Sequence, residues 1–134
     1  MSVISVPLAT RLREAGLRWE PARGDRFVIP GRGMDDEVFV LSDMTVEVHQ
    51  FASGPVLGFN GTVEWALDSV DVPSALWLPD EPALRERLGG TFVSLRRDGE
   101  RYSVELTVVG RRVVVEAGDP AEAYGLALLH LITG

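Results

Sequence analysis

The 134-residue chain has no cysteine, no lysine, a single asparagine (Asn60) and two histidines, His49 and His130. Without cysteine there is no disulfide, no thiolate metal site and no cysteine nucleophile. All thirteen basic residues are arginine, a bias to which we assign no chemistry. No apolar run approaches the roughly 18 residues a spanning helix needs, so no membrane partner is expected. Met1–Thr10 carries neither a basic stretch nor a sustained apolar core. It does not read as a secretion signal, and a cytoplasmic location is expected. Phosphate-binding signatures are missing as well. Gly58-Phe-Asn-Gly-Thr62 lacks the length and the lysine of a Walker loop and does not fit GxGxxG, and Gly31-Arg-Gly33 reads as a plain loop. There is no Gly-x-Ser-x-Gly elbow, HExxH or calcium-loop pattern. The expectation therefore leans away from an enzyme, and no catalytic residue is nominated.

What is present is an ordinary globular composition: 46% hydrophobic, 25% charged, 14 Gly and 8 Pro. Such a chain is neither disordered nor fibrous, and its length fits a single α+β domain over 1–134. It can bury roughly two-thirds of its unfolded surface without staples. The net charge of −7 repels phosphate backbones, which argues against nucleic acid as a partner. That charge is unevenly placed. Segment 33–84 contains no arginine, yet holds Asp35, Asp36, Glu37, Asp43, Glu47, Glu64, Asp68, Asp71, Asp80 and Glu81. Either these acids pair with arginines from the two ends of the chain, or they form an acidic face for a basic partner.

The spacing predicts a helix over Ser5–Ala15, capped by Ser5, with Pro7 in its first turn and Gly16 at its end. Arg26–Ile29, Glu37–Leu41, Met44–Phe51 and Val56–Phe59 read as strands. Gly31–Asp36 reads as a loop, and Ser42-Asp43 as the turn of a hairpin. Thr62–Val70 carries an apolar helical stripe of Val63, Ala66, Leu67 and Val70. A helix over Asp80–Leu88 closed by Gly89-Gly90 comes next, then strands Thr91–Arg96, Arg101–Val108 and Arg112–Ala117. A last helix begins at Asp119-Pro120 with Glu122 completing a capping box, and its apolar residues run nearly all round. The expected fold is α+β, with antiparallel sheets and helices at the ends, and a C-terminal half ordered α-β-β-β-α. The N-terminal half follows a similar order, a weak hint of internal duplication that no aligned residues support.

Glu47 and His49 are two apart on a strand and share a face, a pairing suited to a divalent metal or to acid/base work. Glu64 and Asp68, four apart on the expected helix, share another face. If the two faces meet, they form a metal or small-ligand site in which Asn60 orients the ligand and Trp65 walls it. A solvated polar face explains the same residues. Arg96, Arg97, Arg101, Arg111 and Arg112 gather around the C-terminal hairpins and are expected to pair with the acidic segment. Leu12-Arg-Glu-Ala-Gly-Leu17 resembles the tail of a Nudix box, but the order of motifs and the lone Glu14 exclude that fold. Arg23-Gly24-Asp25 is read as a chance tripeptide.

Across Asp25–Pro30, Thr45–His49, Gly58–Gly61, Glu64–Asp68 and Ala123–Leu131 the chain resembles a family of small uncharacterised actinobacterial proteins, some labelled as pilus assembly proteins. That label implies a Walker-loop ATPase, and the required loop is missing here. The C-terminal α-β-β-β-α order is also similar to small phage-borne sandwich domains. Neither resemblance brings catalytic residues with it. The leading expectation is a non-catalytic protein-binding module that uses segment 33–84 as an acidic face. The alternative is a metal- or small-ligand-binding protein, with hydrolysis as its chemistry, in which Glu47 and His49 face Glu64 and Asp68. A third reading is a homo-oligomer that buries the final helix against a symmetry mate.

Overall fold

Each helix starts at a side chain that accepts a free amide of its first turn. Ser5 Oγ accepts from Leu8 N at 3.4 Å, Asp80 Oδ1 from Ala83 N at 3.0 Å, and Asp119 Oδ2 from Glu122 N at 3.1 Å. A proline stands in the first turn of all three, where its missing N–H costs nothing. The computed structural model describes residues 3–30, 34–41, 47–51, 54–58, 69–71 and 75–134, with side chains described for 3–30, 38–41 and 75–134. In chain order its elements are α1 (Val6–Glu14), β1 (Arg26–Ile29), β2 (Met34–Val40), β3 (Glu47–Phe51), β4 (Gly54–Gly58), β5 (Ser69–Asp71), β6 (Leu76–Leu78), α2 (Glu81–Leu88), β7 (Phe92–Asp98), β8 (Arg101–Val108), β9 (Arg111–Ala117) and α3 (Pro120–Thr133). A single 3₁₀ turn, Gly89–Thr91, joins α2 to β7.

The strands form three antiparallel sheets, ordered β2-β1-β6, β3-β4-β5 and β7-β8-β9. This is the expected α+β class, with α2-β7-β8-β9-α3 as the C-terminal order. The chain gathers into two compact units, one of Met1–Leu17 with Pro79–Gly134, the other of Arg18–Leu78.

In the first unit the two chain ends build one core. Ile4, Leu8 and Leu12 are buried, as are Leu84, Leu88, Val104, Leu106 and Leu128. α1 lies so close to α3 that a Cβ on Gly125 would stand 2.6 Å from Leu8 Cδ2 and 3.1 Å from Ile4 Cγ2. Tyr124 packs its ring against Phe92 at 5.6 Å. On β8, Val104 and Leu106 are buried while Arg101 and Thr107 are exposed, so the sheet has the one wet face that alternation predicts. α3 is not apolar-packed on every side, because His130, Ile132 and Thr133 reach the surface. Glu122 lends its backbone N–H to the Asp119 cap, and its side chain reaches the other end of the chain. Its carboxylate accepts from Ser5 N at 2.8 Å and Ser5 Oγ at 2.7 Å, tying the start of α1 to the start of α3.

The second unit centres on Phe27, Ile29, Leu41 and Ala75, with Trp19 and Phe39 packed against them. Phe27 stacks between Trp19 at 5.3 Å and Phe39 at 5.5 Å. Trp19 Nε1 and Ala22 N both donate to Asp25 Oδ2, at 2.8 and 3.0 Å. The Arg-Gly-Asp tripeptide is thus a turn whose carboxylate faces inward.

Three expectations change here. The loop over Gly31–Asp36 is strand from Met34 onward, because β2 continues its pairing with β1 to Ile29↔Met34. The hairpin about Ser42-Asp43 does not join its two strands, since β2 pairs with β1 and β3 with β4; the turn residues lie outside the described ones. Of the helix over Thr62–Val70, residues 62–68 also lie outside, while Ser69 and Val70 belong to β5, opposite Gly58 and Leu57. The alternation Ser69-Val70-Asp71 suits that strand, and cross-strand pairing outweighs the helical stripe.

Candidate functional site

Charge separates between the two units. Arg18–Leu78 holds Glu20, Asp25, Asp35, Asp36, Glu37, Asp43, Glu47, Glu64, Asp68 and Asp71 against Arg18, Arg23, Arg26 and Arg32, a net of −6. The other unit has ten acids against nine arginines, a net of −1. Nearly all of the chain's −7 therefore belongs to the second unit.

Part of that charge sits on an edge. β2 is the outer strand of its sheet, and its register jumps from Phe27↔Phe39 to Ile29↔Met34. Asp35, Asp36, Glu37 and Val38 thus form a bulge opposite Val28 alone. A charged bulge on an edge strand blocks pairing with other sheets and re-aims what it carries. Val38, at the end of the bulge, and Val40, past it, are 52% and 53% exposed. The exposed valines lie next in the chain to the three acids Asp35, Asp36 and Glu37.

The second acidic element is the sheet β3-β4-β5. Its register sets His49 opposite Val56 and Val56 opposite Asp71, while Glu47, Gly58 and Ser69 form the next row. Directly opposed residues of antiparallel strands share a face. Glu47, His49, Ser69 and Asp71 are therefore on one face of this sheet, with Val48, Leu57 and Val70 on the other. Glu47 and His49 both lie on β3, two residues apart. Asn60, Glu64, Trp65 and Asp68 lie outside the described residues. Asp71, expected just beyond Glu64 and Asp68 on a helix, lies instead on β5, in the row of His49 and Val56. Among the residues whose side chains are described, which do not include Glu47, His49 and Asp71, no group of three His, Asp or Glu could hold a metal.

The C-terminal arginines behave differently from expectation. Arg112 Nε lies 3.1 Å from Glu105 Oε1, and Arg101 Nε lies 3.8 Å from Glu116 Oε2. Both pairs join neighbouring strands of one sheet, so each of these two arginines has an acid on the adjacent strand. Arg97 Nε donates to Gly99 O at 3.0 Å.

The first unit also has an open groove of about 600 Å³ between α1, α3 and β9. Ala15, Val115, Leu126 and Leu129 give it apolar walls, and Arg11, Glu14, His130 and Thr133 are its polar members. His130 is thus a rim histidine. Away from the groove, burial raises the pKa of Tyr124 above the usual 10.0, with Glu81 adding to the shift and Arg85, which also hydrogen-bonds the hydroxyl, opposing it. Trp77 is buried and Trp19 is half-buried on the core, so neither forms an exposed aromatic platform. Among the described residues no helix is long and apolar enough to cross a membrane.

No protein-family model, no curated protein and no solved structure matches this chain.

Proposed function

We propose that the chain is a non-catalytic protein-binding module that engages a basic partner through the acidic face of segment 33–84. The observation that carries this reading is the separation of charge, with a net of −6 on Arg18–Leu78 and −1 on the rest. The acidic bulge of β2 and its exposed valines supply a place for contact. Clustered charge of one sign steers a partner of the other and fixes its orientation. Such steering is screened beyond roughly 8 Å at physiological ionic strength.

An arginine-rich peptide of defined sequence tests the reading by titration calorimetry. Binding is expected at low salt and should weaken steadily as salt rises. The triple variant Asp35→Asn, Asp36→Asn, Glu37→Gln should bind severalfold more weakly with its fold unchanged. Binding indifferent to salt, or equal in the variant, would sink the proposal.

A second reading follows from the His49–Val56–Asp71 row. A histidine and two acids on one sheet face suit a divalent metal or a small polar ligand. Zinc at ~100 times its dissociation constant would add about 2.7 kcal/mol to stability. That gain, read as a rise in melting temperature, should vanish in Glu47→Ala and in His49→Ala. A melting temperature that zinc leaves unmoved in the unaltered chain ends this second reading.

A further inference from the structure

The two edges of the C-terminal sheet are built differently. β7 is bulged at Val93, where its register slips between Phe92↔Leu106 and Ser94↔Glu105. Bulges of this kind turn an edge away from incoming strands. β9 has no bulge. It runs in unbroken register from Tyr102↔Ala117 to Val108↔Arg111, with three consecutive valines at its centre and no proline. A regular, valine-rich outer strand is a template for another strand.

We propose that β9 is a self-association edge, at which two copies of the chain pair their β9 strands antiparallel and join their three-stranded sheets into one of six. The occupant follows from the order of charges along the strand. Opposed residues in an antiparallel pair share a face, which limits the allowed registers to steps of two residues. When two β9 strands overlap fully, Arg112 of each copy stands opposite Glu116 of the other, Val113 opposite Val115, and Val114 opposite itself. A slip of two residues in one direction sets Arg112 opposite Val114, and in the other direction it sets Glu116 opposite Val114. Full overlap thus gives the longest ladder and is the register that matches both charges. It is also self-complementary, as a two-fold interface must be.

The surrounding groups are already arranged for it. Arg112, Val114 and Glu116 are exposed, with Val114 at 44%. Within each copy Arg112 is drawn to Glu105, and Glu116 is held by Arg101 and by Ser103 Oγ at 3.3 Å. Pairing extends these contacts into alternating rows of charge across the new boundary, with the paired valines between them. This contact uses the sheet edge, in contrast to a dimer that buries the final helix.

Sedimentation of the full chain over a range of concentrations is the test. The unaltered protein should shift from one chain mass toward two as concentration rises. Arg112→Glu alone and Glu116→Arg alone each set like charges opposite one another, and each should weaken association at least tenfold. The double variant Arg112→Glu/Glu116→Arg restores opposite charges across the boundary, at the cost of like charges beside Glu105 and Arg101 within each sheet, and should associate more strongly than either single variant. Val114→Lys places two cations face to face and substitutes none of Arg112, Glu105, Arg101 and Glu116, although the new lysine stands opposite Glu105 within its own sheet; a check of the fold therefore separates loss of association from loss of structure. It should remain folded by circular dichroism and monomeric. A single chain mass for the unaltered protein up to about 1 mM would overturn the proposal. So would a dimer that survives Val114→Lys, or a folded double variant that associates no more strongly than either single variant.

Discussion

Val109 occupies the tip of the β8–β9 turn at φ +49°, is 97% exposed, and precedes Gly110 at φ +76°. Both central residues of this two-residue turn are left-handed, the geometry that favours Asn-Gly or Gly-Gly. A β-branched side chain in that region costs roughly 1–2 kcal/mol. With almost all of Val109 in water, no packing offsets the strain. Val109→Asn should therefore stabilise the protein by about 1 kcal/mol, read as a higher midpoint in urea with an unchanged slope. Tyr124 supplies a second prediction. Its pKa is raised above 10.0, first by burial. The unfolded chain then loses this proton at a lower pH than the folded one. Its contribution is fully present below the unfolded pKa and is lost as pH climbs toward the folded one. Denaturation series between about pH 9 and about pH 11 should show stability falling more steeply in the native sequence than in Tyr124→Phe.

At the scale of elements, α3 is held by a close approach and by a tether. Gly125 gives up helix propensity, yet a methyl group there would overlap Leu8, itself buried. Alanine would gain about 1 kcal/mol of propensity and lose roughly 1–3 kcal/mol to overpacking. Gly125→Ala should lower the melting temperature by a few degrees, contrary to the usual effect of that substitution in a helix. Glu122 makes two charge-assisted hydrogen bonds to Ser5 at an exposed site. Glu122→Gln should cost about 1 kcal/mol, and the loss should be smaller in a Ser5→Gly background, which removes the hydroxyl donor and keeps the backbone N–H, so the difference isolates the hydroxyl's contribution. The capping pattern Asp119-Pro-x-Glu122 was legible in the sequence. The second use of Glu122 was not, because its partner lies 117 residues away.

For the whole molecule, the first seventeen residues complete a unit whose other part begins at Pro79. Ile4 N donates to Pro79 O at 3.2 Å, Val3 bridges to Asp80, and Ile4, Leu8 and Leu12 are each under 5% exposed. Burying three such side chains contributes roughly 5–9 kcal/mol, comparable to the whole stability of a domain at about 5–15 kcal/mol. A chain lacking residues 1–17 should lose the cooperative unfolding transition of this unit, seen as loss of Tyr124 and Phe92 near-ultraviolet dichroism.

What the sequence by itself determined was local. Helix starts at Ser5, Asp80 and Asp119 and helix ends at Gly16 and Gly89 all depend on a side chain and backbone a few residues apart. Their spacing in the chain is their spacing in space. The α+β class followed, as did the shared face of Glu47 and His49, since a strand fixes its own alternation. The tertiary structure decided which strands pair and which chain ends meet. It put Val70 in a strand and so brought Asp71 to the face of His49. It gave Arg101 and Arg112 acids on the neighbouring strand, and it joined the first seventeen residues to the C-terminal half. Each of those outcomes rests on contacts between segments distant in sequence. Their free energy comes from surfaces that exist only after the chain has closed on itself.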